Sequence, residues 1–213
     1  VNMIGGVKKD IAPKVAEELL GMIDDWNKDF REVIDIVEDS ITVLNRVKGS
    51  GILDQQIAVD HGVIGITGRA VGIKHDARID YPYAIYDKIK FEMAVETEGD
   101  VEARMYVRIK EVYSSFEILK QALKNLPQSE KISTDKKTAL RKNAVAVGVT
   151  EGWRGAVVYV VVTDNAGQIT RVDVRDPSFL NWSVLGYAGL GNVVPDFPLI
   201  NKSFSLSYSG NDL

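Results

Sequence analysis

Apolar residues recur every three or four positions along an early stretch of the chain, and this spacing constrains the fold more than any other feature. They are Leu19, Ile23, Trp26, Phe30, Ile34, Val37, Ile41 and Leu44. That spacing places them on one face of an α-helix. The helix would span about 35 residues, or about 50 Å at 1.5 Å per residue. Most helices of small domains are shorter, so the stripe needs a long apolar surface to pack against.

A second stripe of the same kind follows Gly99 and Asp100 and stops before Pro127. Asp100 is a favourable helix cap because its carboxylate can accept from the first free amides. Two long amphipathic helices with a compact connection predict an antiparallel pair. Two helices cannot bury both stripes, so we expect further helices from a partner chain or from a missing N-terminal portion. For the same reason, we expect the isolated fragment to self-associate as a homo-oligomer.

The last third of the chain has β character. Residues 143–150 alternate weakly, 155–163 are rich in Val, and 169–174 complete a three-stranded meander around the turn residues 164–167. Asp176 is then expected to cap a shorter helix. The tail predicts a final strand, because Phe204, Leu206 and Tyr208 alternate as residues on one face of a strand do.

These patterns together predict an α+β protein that is mainly α, with long antiparallel helices and a small antiparallel β extension. We divide the chain into three segments. Residues 1–127 form the long-helix region with its Gly-rich connection, and residues 128–141 form a polar linker. Residues 142–213 contain the meander, the short helix and a C-terminal strand that packs back on the helices.

Composition narrows the classes of function. The chain has 213 residues and a formal net charge of -4, which gives no field to attract nucleic acid. It has 0 Cys, which excludes disulfides, thiolate zinc sites and iron–sulfur ligation by these residues. No apolar run approaches the roughly 20 residues of a membrane-spanning helix, and no signal peptide opens the chain. The first residue is Val1 rather than Met, so we expect a portion of a longer protein.

Two weak motifs have ordinary structural interpretations. Asp60, His61, His75 and Asp76 would form a metal site only if folding brought them together, so capping and surface hydrogen bonds are favoured instead. The glycines of the 62–68 segment, followed by Arg69, resemble an anion-binding loop. This segment lacks the Lys-Ser/Thr pair of a phosphate loop, which favours tight packing of a short helix against a long one, with Arg69 at the end of the short helix.

Charged residues near two turns are candidates for a relay of protons or of conformational change. Asp76, Arg78 and Asp80 alternate ahead of three tyrosines, where they conduct protons, bind a polar head group, or form ion pairs in a solvated loop. Glu151 and Arg154 flank a predicted turn. A buried Glu–Arg pair there is either functional or fixes the geometry of the hairpin. We therefore name four relay candidates: Asp76, Arg78, Glu151 and Arg154.

Six motifs occur in a fixed order: IGGVKKDI at 4–11, GITGRAVGIKHDAR at 65–78, YPYAIYD at 81–87, ETEGDVEAR at 96–104, EGWRG at 151–155 and RDPSFLNW at 175–182. Together they resemble the C-terminal portion of the large subunit of membrane-bound, energy-converting nickel–iron hydrogenases. They are also similar to the related NuoD-type subunit of respiratory complex I. The ending PDFPLINKS at 195–203 is closer to the hydrogenases. The resemblance implies a hydrogenase-like bundle of long helices with a β extension beside it.

The resemblance also bears on metal binding. Active hydrogenases of this type end in a Cys-x-x-Cys step whose thiolates hold nickel and iron. Here Ser207 and Gly210 stand at those positions. A serine hydroxyl stays protonated near neutral pH and glycine has no side chain, so neither supplies a soft ligand. We therefore expect no metal and no other cofactor bound by this chain.

The function implied by the resemblance is that of a subunit in a membrane-associated oxidoreductase complex that couples electron transfer to ion translocation. Expected partners are a small subunit with an iron–sulfur cluster, other peripheral-arm subunits and membrane subunits that translocate ions. The chain would lie at the cytoplasmic face of the membrane, and a quinone can bind elsewhere in the full complex. Two alternatives stay open: an NADH:quinone oxidoreductase subunit whose quinone site lies in the missing N-terminal part, and a structural scaffold without chemistry.

Overall fold

The computed structural model describes residues 2–3, 6–127, 132–133 and 139–212. In chain order, its α-helices are α1 (Pro13–Glu38), α2 (Ile41–Val47), α3 (Gln55–Asp60), α4 (Gly65–Arg69), α5 (Ala77–Asp80), α6 (Val101–Lys124), α7 (Pro177–Asn181), α8 (Leu185–Gly189), α9 (Phe197–Phe204) and α10 (Tyr208–Asn211). The strands are β1 (Asn2–Met3), β2 (Gly6–Val7), β3 (Val145–Gly152), β4 (Gly155–Thr163) and β5 (Ile169–Arg175). Short 3-10 helices lie at Trp182–Val184 and Val194–Asp196.

The two long helices, α1 and α6, pack against each other in opposite directions. Asp24, near the middle of α1, binds Lys120 near the end of α6 at 2.7 Å. Further along, the ring of Phe30 contacts Tyr113, with ring centroids 5.3 Å apart in an edge-on arrangement. The predicted antiparallel pair is therefore confirmed, as is the mainly α fold class.

The first helix is shorter than its apolar stripe predicts. α1 ends at Glu38. Ser40 caps α2: its backbone is extended and its side chain accepts from the Val43 amide at 3.4 Å. A serine hydroxyl that binds the backbone offers an alternative to helix continuation, which explains the break. Ile41 and Leu44 thus lie on a separate helix.

Much of α1 is exposed on its outer side. Only Ala16 and Ile23 are buried, while Val33 and Ile36 keep 54% and 70% of their surface accessible. The cost of leaving aliphatic side chains in water favours a covering surface. That other helices cover this face, or that copies of the chain associate through it, stays a prediction.

The predicted meander is confirmed. β3, β4 and β5 form an antiparallel sheet in that order, with Gly152 opposite Gly155 at the first turn. At the second turn, Asp164 accepts from the Ala166 and Gln168 amides at 2.8 Å each. The residues adjacent in sequence thus become neighbours in the sheet through two short turns.

The predicted C-terminal strand is wrong, because this segment is helical. Pro198 lies in the first turn of α9, where its missing amide costs nothing, and Ser205 ends the helix with φ 55 in the left-handed region. Ser207 then caps α10. The alternation that indicated a strand arises because Phe204 and Tyr208 belong to different helices on either side of a short connection.

The C-terminal helices nevertheless pack back on the long-helix region, as the sequence predicts. One buried apolar cluster joins Val63 and Val101 from that region to Val184, Ile200 and Phe204. The domain boundaries themselves stay a prediction, and most of the proposed linker 128–141 lies outside the described residues. In the part of the chain that the structure describes, no helix has the length and apolar character needed to cross a membrane.

Candidate functional site

A buried cluster of charged side chains joins α4, α5, α6 and β3. Its centre is Arg69, the last residue of α4, which is 1% exposed. One terminal nitrogen donates to Glu151 Oε1 at 3.1 Å and to the His75 carbonyl at 3.0 Å, and the other donates to Glu111 Oε1 at 2.5 Å. Arg69 thus ties the sheet to the second of the two long helices.

The second cation of the cluster, Arg78, is paired with Asp76 at the start of the same short helix. The buried Asp76 carboxylate accepts from the Arg78 amide and Nε at 2.9 Å each, and from a terminal nitrogen at 2.6 Å. The Arg78 guanidinium also lies over the ring of Phe91, 4.8 Å from its centroid. Asp76 therefore caps α5 and neutralises the cation beside it.

Glu151 enters the cluster from the end of β3. Its Oε1 binds Arg69, and its Oε2 accepts from the Ala77 amide at 2.9 Å, at the first turn of α5. Its own amide donates to the Tyr83 hydroxyl at 3.0 Å. Both carboxylate oxygens therefore have a donor, which compensates for burying the charge.

The environment shifts two carboxyl groups in opposite directions. Burial alone would raise the pKa of Asp76, but the hydrogen bonds and the charge of Arg78 outweigh burial and hold that pKa below its usual value. Burial also raises the pKa of Glu111, and the charge and hydrogen bond of Arg69 only partly offset this effect. Asp76 is therefore a firmly ionised carboxylate, whereas Glu111 gives up its proton less readily.

The structure brings together three of the four predicted relay residues. Asp76, Arg78 and Glu151 share the buried cluster, whereas Arg154 does not belong to it. Arg154 Nε donates to the Ser205 carbonyl instead. The expected Glu151–Arg154 pair is wrong, because the hairpin places Glu151 opposite Ala156 and leaves Arg154 in the turn, directed towards α9.

Arg154 takes part in a second arrangement, which holds the end of α9. Arg108 on α6 donates to the Ser203 carbonyl at 2.6 Å, and the fully buried Arg104 donates to Ser203 Oγ at 2.8 Å. The last carbonyls of a helix lack partners within the helix and attract cations. These arginines therefore fix the position from which the C-terminal tail departs.

The C-terminal tail contains Ser207 and Gly210, the two positions that correspond to cysteines in the hydrogenases that this sequence resembles. Ser207 Oγ accepts from the Gly210 amide at 3.0 Å, and the Ser207 amide donates to Ser178 Oγ at 3.0 Å. Gly210 is buried, and a Cβ atom at that position would lie 2.6 Å from Cγ of Asp176. Hydrogen bonds and close packing thus fix the conformation of residues 207–210.

These residues do not fit a nickel–iron group. Such a group needs thiolate donors, whereas Ser207 offers a hydroxyl that already serves as a helix cap, and Gly210 offers no side chain and packs against the carboxyl group of Asp176. Across residues 2–3, 6–127, 132–133 and 139–212, no three metal-ligating side chains converge as a metal ion would require.

The two weak motifs of the sequence adopt the ordinary structures expected for them. His61 Nδ1 lies 3.0 Å from Ser183 Oγ, and His75 pairs with Asp80. Gly65 packs directly against the turn between β3 and β4, since a Cβ atom there would lie 2.6 Å from Cα of Gly155. The glycine-rich segment is therefore a packing site for the sheet.

Sequence reasoning missed two members of the cluster, Arg69 and Glu111. From the sequence, Arg69 is predicted only to end a short glycine-rich helix. Glu111 lies on α6, one or two positions from the apolar residues Ile109 and Val112, so it does not share their face of the helix. The exposed Lys110 lies between the same two residues, so this position carries no local signal of a buried charge.

A family model described as the 49 kDa subunit of respiratory-chain NADH dehydrogenase matches residues 1–148. The chain is 32% identical to the carbon monoxide-induced hydrogenase of Rhodospirillum rubrum, over 94% of this chain and 55% of that protein. It is 35% identical to a subunit of the NADH-quinone oxidoreductase of Thermosipho melanesiensis, over 82% of this chain and 49% of that protein. The chain thus spans about half the length of these curated relatives.

A solved structure has the same fold. It is a chain of the membrane-bound sulfane sulfur reductase, an archaeal respiratory membrane complex, with a TM-score of 0.91 and 26% identity. The match covers 98% of this chain and 58% of that chain. Nearly all of this chain therefore corresponds to a portion of a larger protein.

Proposed function

This chain belongs to the family of the 49 kDa subunit of respiratory-chain NADH dehydrogenase, and we propose that it acts in a membrane-associated oxidoreductase complex that couples electron transfer to ion translocation. Its relatives are named for hydrogenase and for quinone oxidoreductase activity, and its structural neighbour is named for sulfane sulfur reduction. One fold therefore accompanies several electron acceptors. This variety favours a role in coupling rather than in one fixed reaction.

We propose further that the complex works without a nickel–iron centre. The observation that supports this proposal is the packing of residues 207–210, where Ser207 caps α10 and Gly210 packs against Asp176. Oxygen donors bind soft metals poorly, and no side chain is present at position 210. The electron acceptor would then be a quinone or a sulfur compound instead of protons.

The chain's own role in this proposal is to shape part of the wall of a cavity beside the iron–sulfur cluster of its partner subunit. The Arg69 cluster ties α4, α5 and α6 to the sheet, and the arginines at α9 hold the tail. The partners we propose are a small subunit with an iron–sulfur cluster, further peripheral subunits and ion-translocating membrane subunits. The chain would be peripheral, at the cytoplasmic face, and any quinone would bind outside it.

Elemental analysis of the purified parent complex tests this proposal. We expect much less than one nickel per copy of this chain, together with electron transfer to a quinone or to polysulfide and no hydrogen evolution. A membrane-bound hydrogenase purified in the same way calibrates the nickel measurement. One nickel per chain, or hydrogen evolution at a rate similar to that hydrogenase, would overturn the proposal.

The double variant Ser207→Cys, Gly210→Cys tests whether packing at residues 207–210, in addition to the lack of thiolates, prevents metal binding. It restores the donor atoms, but the Cβ atom at position 210 would overlap Asp176. We expect this variant to bind no more nickel than the wild type. If nickel were bound in stoichiometric amount, donor chemistry alone, and not packing against Asp176, would account for the lack of metal.

A further inference from the structure

The Arg69 cluster contains more carboxylates than cations in direct contact with them. Two guanidinium groups, Arg69 and Arg78, face three carboxylates, Asp76, Glu111 and Glu151. If all five groups are ionised, the cluster carries one uncompensated negative charge in a largely buried site. Burying such a charge is costly, and the ordinary remedy is the uptake of a proton.

The three carboxylates differ in how well hydrogen bonds satisfy them. Asp76 accepts three hydrogen bonds from Arg78, and Glu151 accepts one on each oxygen. Glu111 accepts one hydrogen bond, from Arg69 to Oε1, among the residues the structure describes. Hydrogen bonds from protein groups therefore support ionisation least at Glu111, where no backbone or side-chain donor of the described residues reaches Oε2.

Glu111 is also the carboxylate with access to water. Its side chain is 19% exposed, compared with 1% for Asp76 and 4% for Glu151. A proton can therefore reach Glu111 and leave it without opening the cluster. The direction of its pKa shift agrees, since burial raises the pKa of this carboxyl.

Charged groups face Glu111 from each element packed around it. They are Arg69 on α4, Asp76 at the N-cap of α5, Arg78 on α5 and Arg108 on its own helix α6, while Glu151 on β3 binds the same Arg69. The charge of Asp76 favours protonation of Glu111, and the cations oppose it. Arg108 opposes it from a distance, because its guanidinium donates to the Ser203 carbonyl and lies over Trp153.

We propose that Glu111 is a proton-binding site of this protein: it takes up and releases one proton while Asp76 stays ionised. The proton binds Oε2 when Glu111 is neutral, and Oε1 remains the acceptor for Arg69. Release of the proton leaves one negative charge in the cluster. This charge acts on α4, α5, α6 and β3 together, so the cluster can transmit a change in protonation to four elements.

Infrared difference spectroscopy tests the site. We would titrate the purified chain, in the assembly in which it is isolated, from about pH 4 to about pH 8 and follow the carbonyl band of protonated carboxyl groups. We expect one carboxyl to keep its band above the range in which ordinary glutamates lose theirs. Glu111→Gln should remove this late step, since the amide can still accept from Arg69 but cannot titrate.

The matched control is Glu117→Gln, on the same helix, where the side chain is 62% exposed. This variant should keep the late step. Persistence of the late step in Glu111→Gln would overturn the proposal. The wild-type titration decides the question even if Glu111→Gln does not fold, because the absence of any late-titrating carboxyl also overturns it.

Stability against pH gives an independent readout. A carboxyl with a raised pKa binds more protons in the folded than in the unfolded state, so its contribution is full below the unfolded pKa and is lost as pH rises through the folded pKa. Asp76, with a lowered pKa, acts in the opposite sense and in a more acidic window. The ratio of the unfolding constant of the wild type to that of Glu111→Gln should therefore increase with pH. A ratio that stays constant between about pH 4 and about pH 8 contradicts the proposal.

Discussion

Replacing Arg69 by methionine is expected to destabilise the folded chain by about 3–5 kcal/mol, because it removes the cation that holds buried carboxylates together. Arg69 is 1% exposed and binds Glu111 and Glu151 through separate terminal nitrogens. Methionine retains much of the side-chain volume, so the loss reflects charge and hydrogen bonds rather than a cavity. The measurement is the free energy of unfolding from urea denaturation at neutral pH.

Arg46→Met is the matched control for this substitution. Arg46 binds Asp196 at 2.9 Å, but its side chain is 56% exposed. Exposed ion pairs contribute little, so we expect a loss of about 0–1 kcal/mol. An Arg69→Met loss no larger than that of Arg46→Met would show that the cluster does not stabilise the fold.

A double variant separates charge from packing. In Arg69→Met, the carboxylates lose their shared cation, so neutralising one of them should recover part of the stability. We expect Arg69→Met with Glu111→Gln to be more stable than Arg69→Met alone, by about 1 kcal/mol or more. If the double variant were as unstable as the sum of the two single variants predicts, the groups would not be coupled.

The sequence predicted the large elements because each has a strong local pattern. The stripes of α1 and α6 repeat over many turns, and the strands of the meander are separated by turn residues such as Asp164. Such patterns do not depend on distant contacts. The break at Ser40 was missed because one hydroxyl bonded to the Val43 amide decides it, while the apolar spacing continues through it.

In the C-terminal tail, by contrast, the local sequence pattern does not determine the secondary structure. Alternation over five residues from Phe204 to Tyr208 fits a strand, but so does the junction of two short helices. The residue that decides between them is Ser205, which adopts a left-handed backbone held by Arg154. That contact joins residues far apart in sequence and has no local signature.

The candidate site was only partly predictable for the same reason. Asp76 and Arg78 are two residues apart, so their pairing on a helix cap is a local event that the sequence suggests. Arg69 is 42 residues from Glu111 and 82 from Glu151. Their ion pairs depend on how α4, α6 and β3 pack, which a single sequence does not show.

The position of this cluster gives it influence on the tail. Glu151 at the end of β3 binds Arg69, and three residues later Arg154 in the following turn binds the Ser205 carbonyl. The turn between β3 and β4 therefore contacts both the buried charged cluster and the end of α9, from which residues 207–210 continue. A displacement of the hairpin by changed charge in the cluster would act on the tail directly, through packed backbone rather than through solvent.

The backbone of Gly65 packs directly against the backbone of Arg154 and Gly155, and this contact positions the hairpin. Its disruption is the second substitution for which we expect a large loss of stability. Gly65→Ala is expected to destabilise the chain by about 2–5 kcal/mol, from backbone strain and from overlap with the turn between β3 and β4. Gly65 has φ +66, and a Cβ atom there would overlap the Arg154 carbonyl group and lie 2.6 Å from Gly155 Cα. Neither neighbour is a flexible side chain, so relief requires movement of the whole hairpin.

Gly62→Ala isolates the overlap from the strain. Gly62 has nearly the same backbone angle, φ +64, but nothing lies within 4 Å of a Cβ atom there. Its loss should be limited to the cost of a left-handed alanine, about 1–2 kcal/mol. Urea denaturation of both variants measures the difference, and equal losses would show that the hairpin does not rest on Gly65. A larger loss for Gly65→Ala, accompanied by a changed near-ultraviolet signal from Trp153, would show that this contact positions the hairpin that links the charged cluster to the tail.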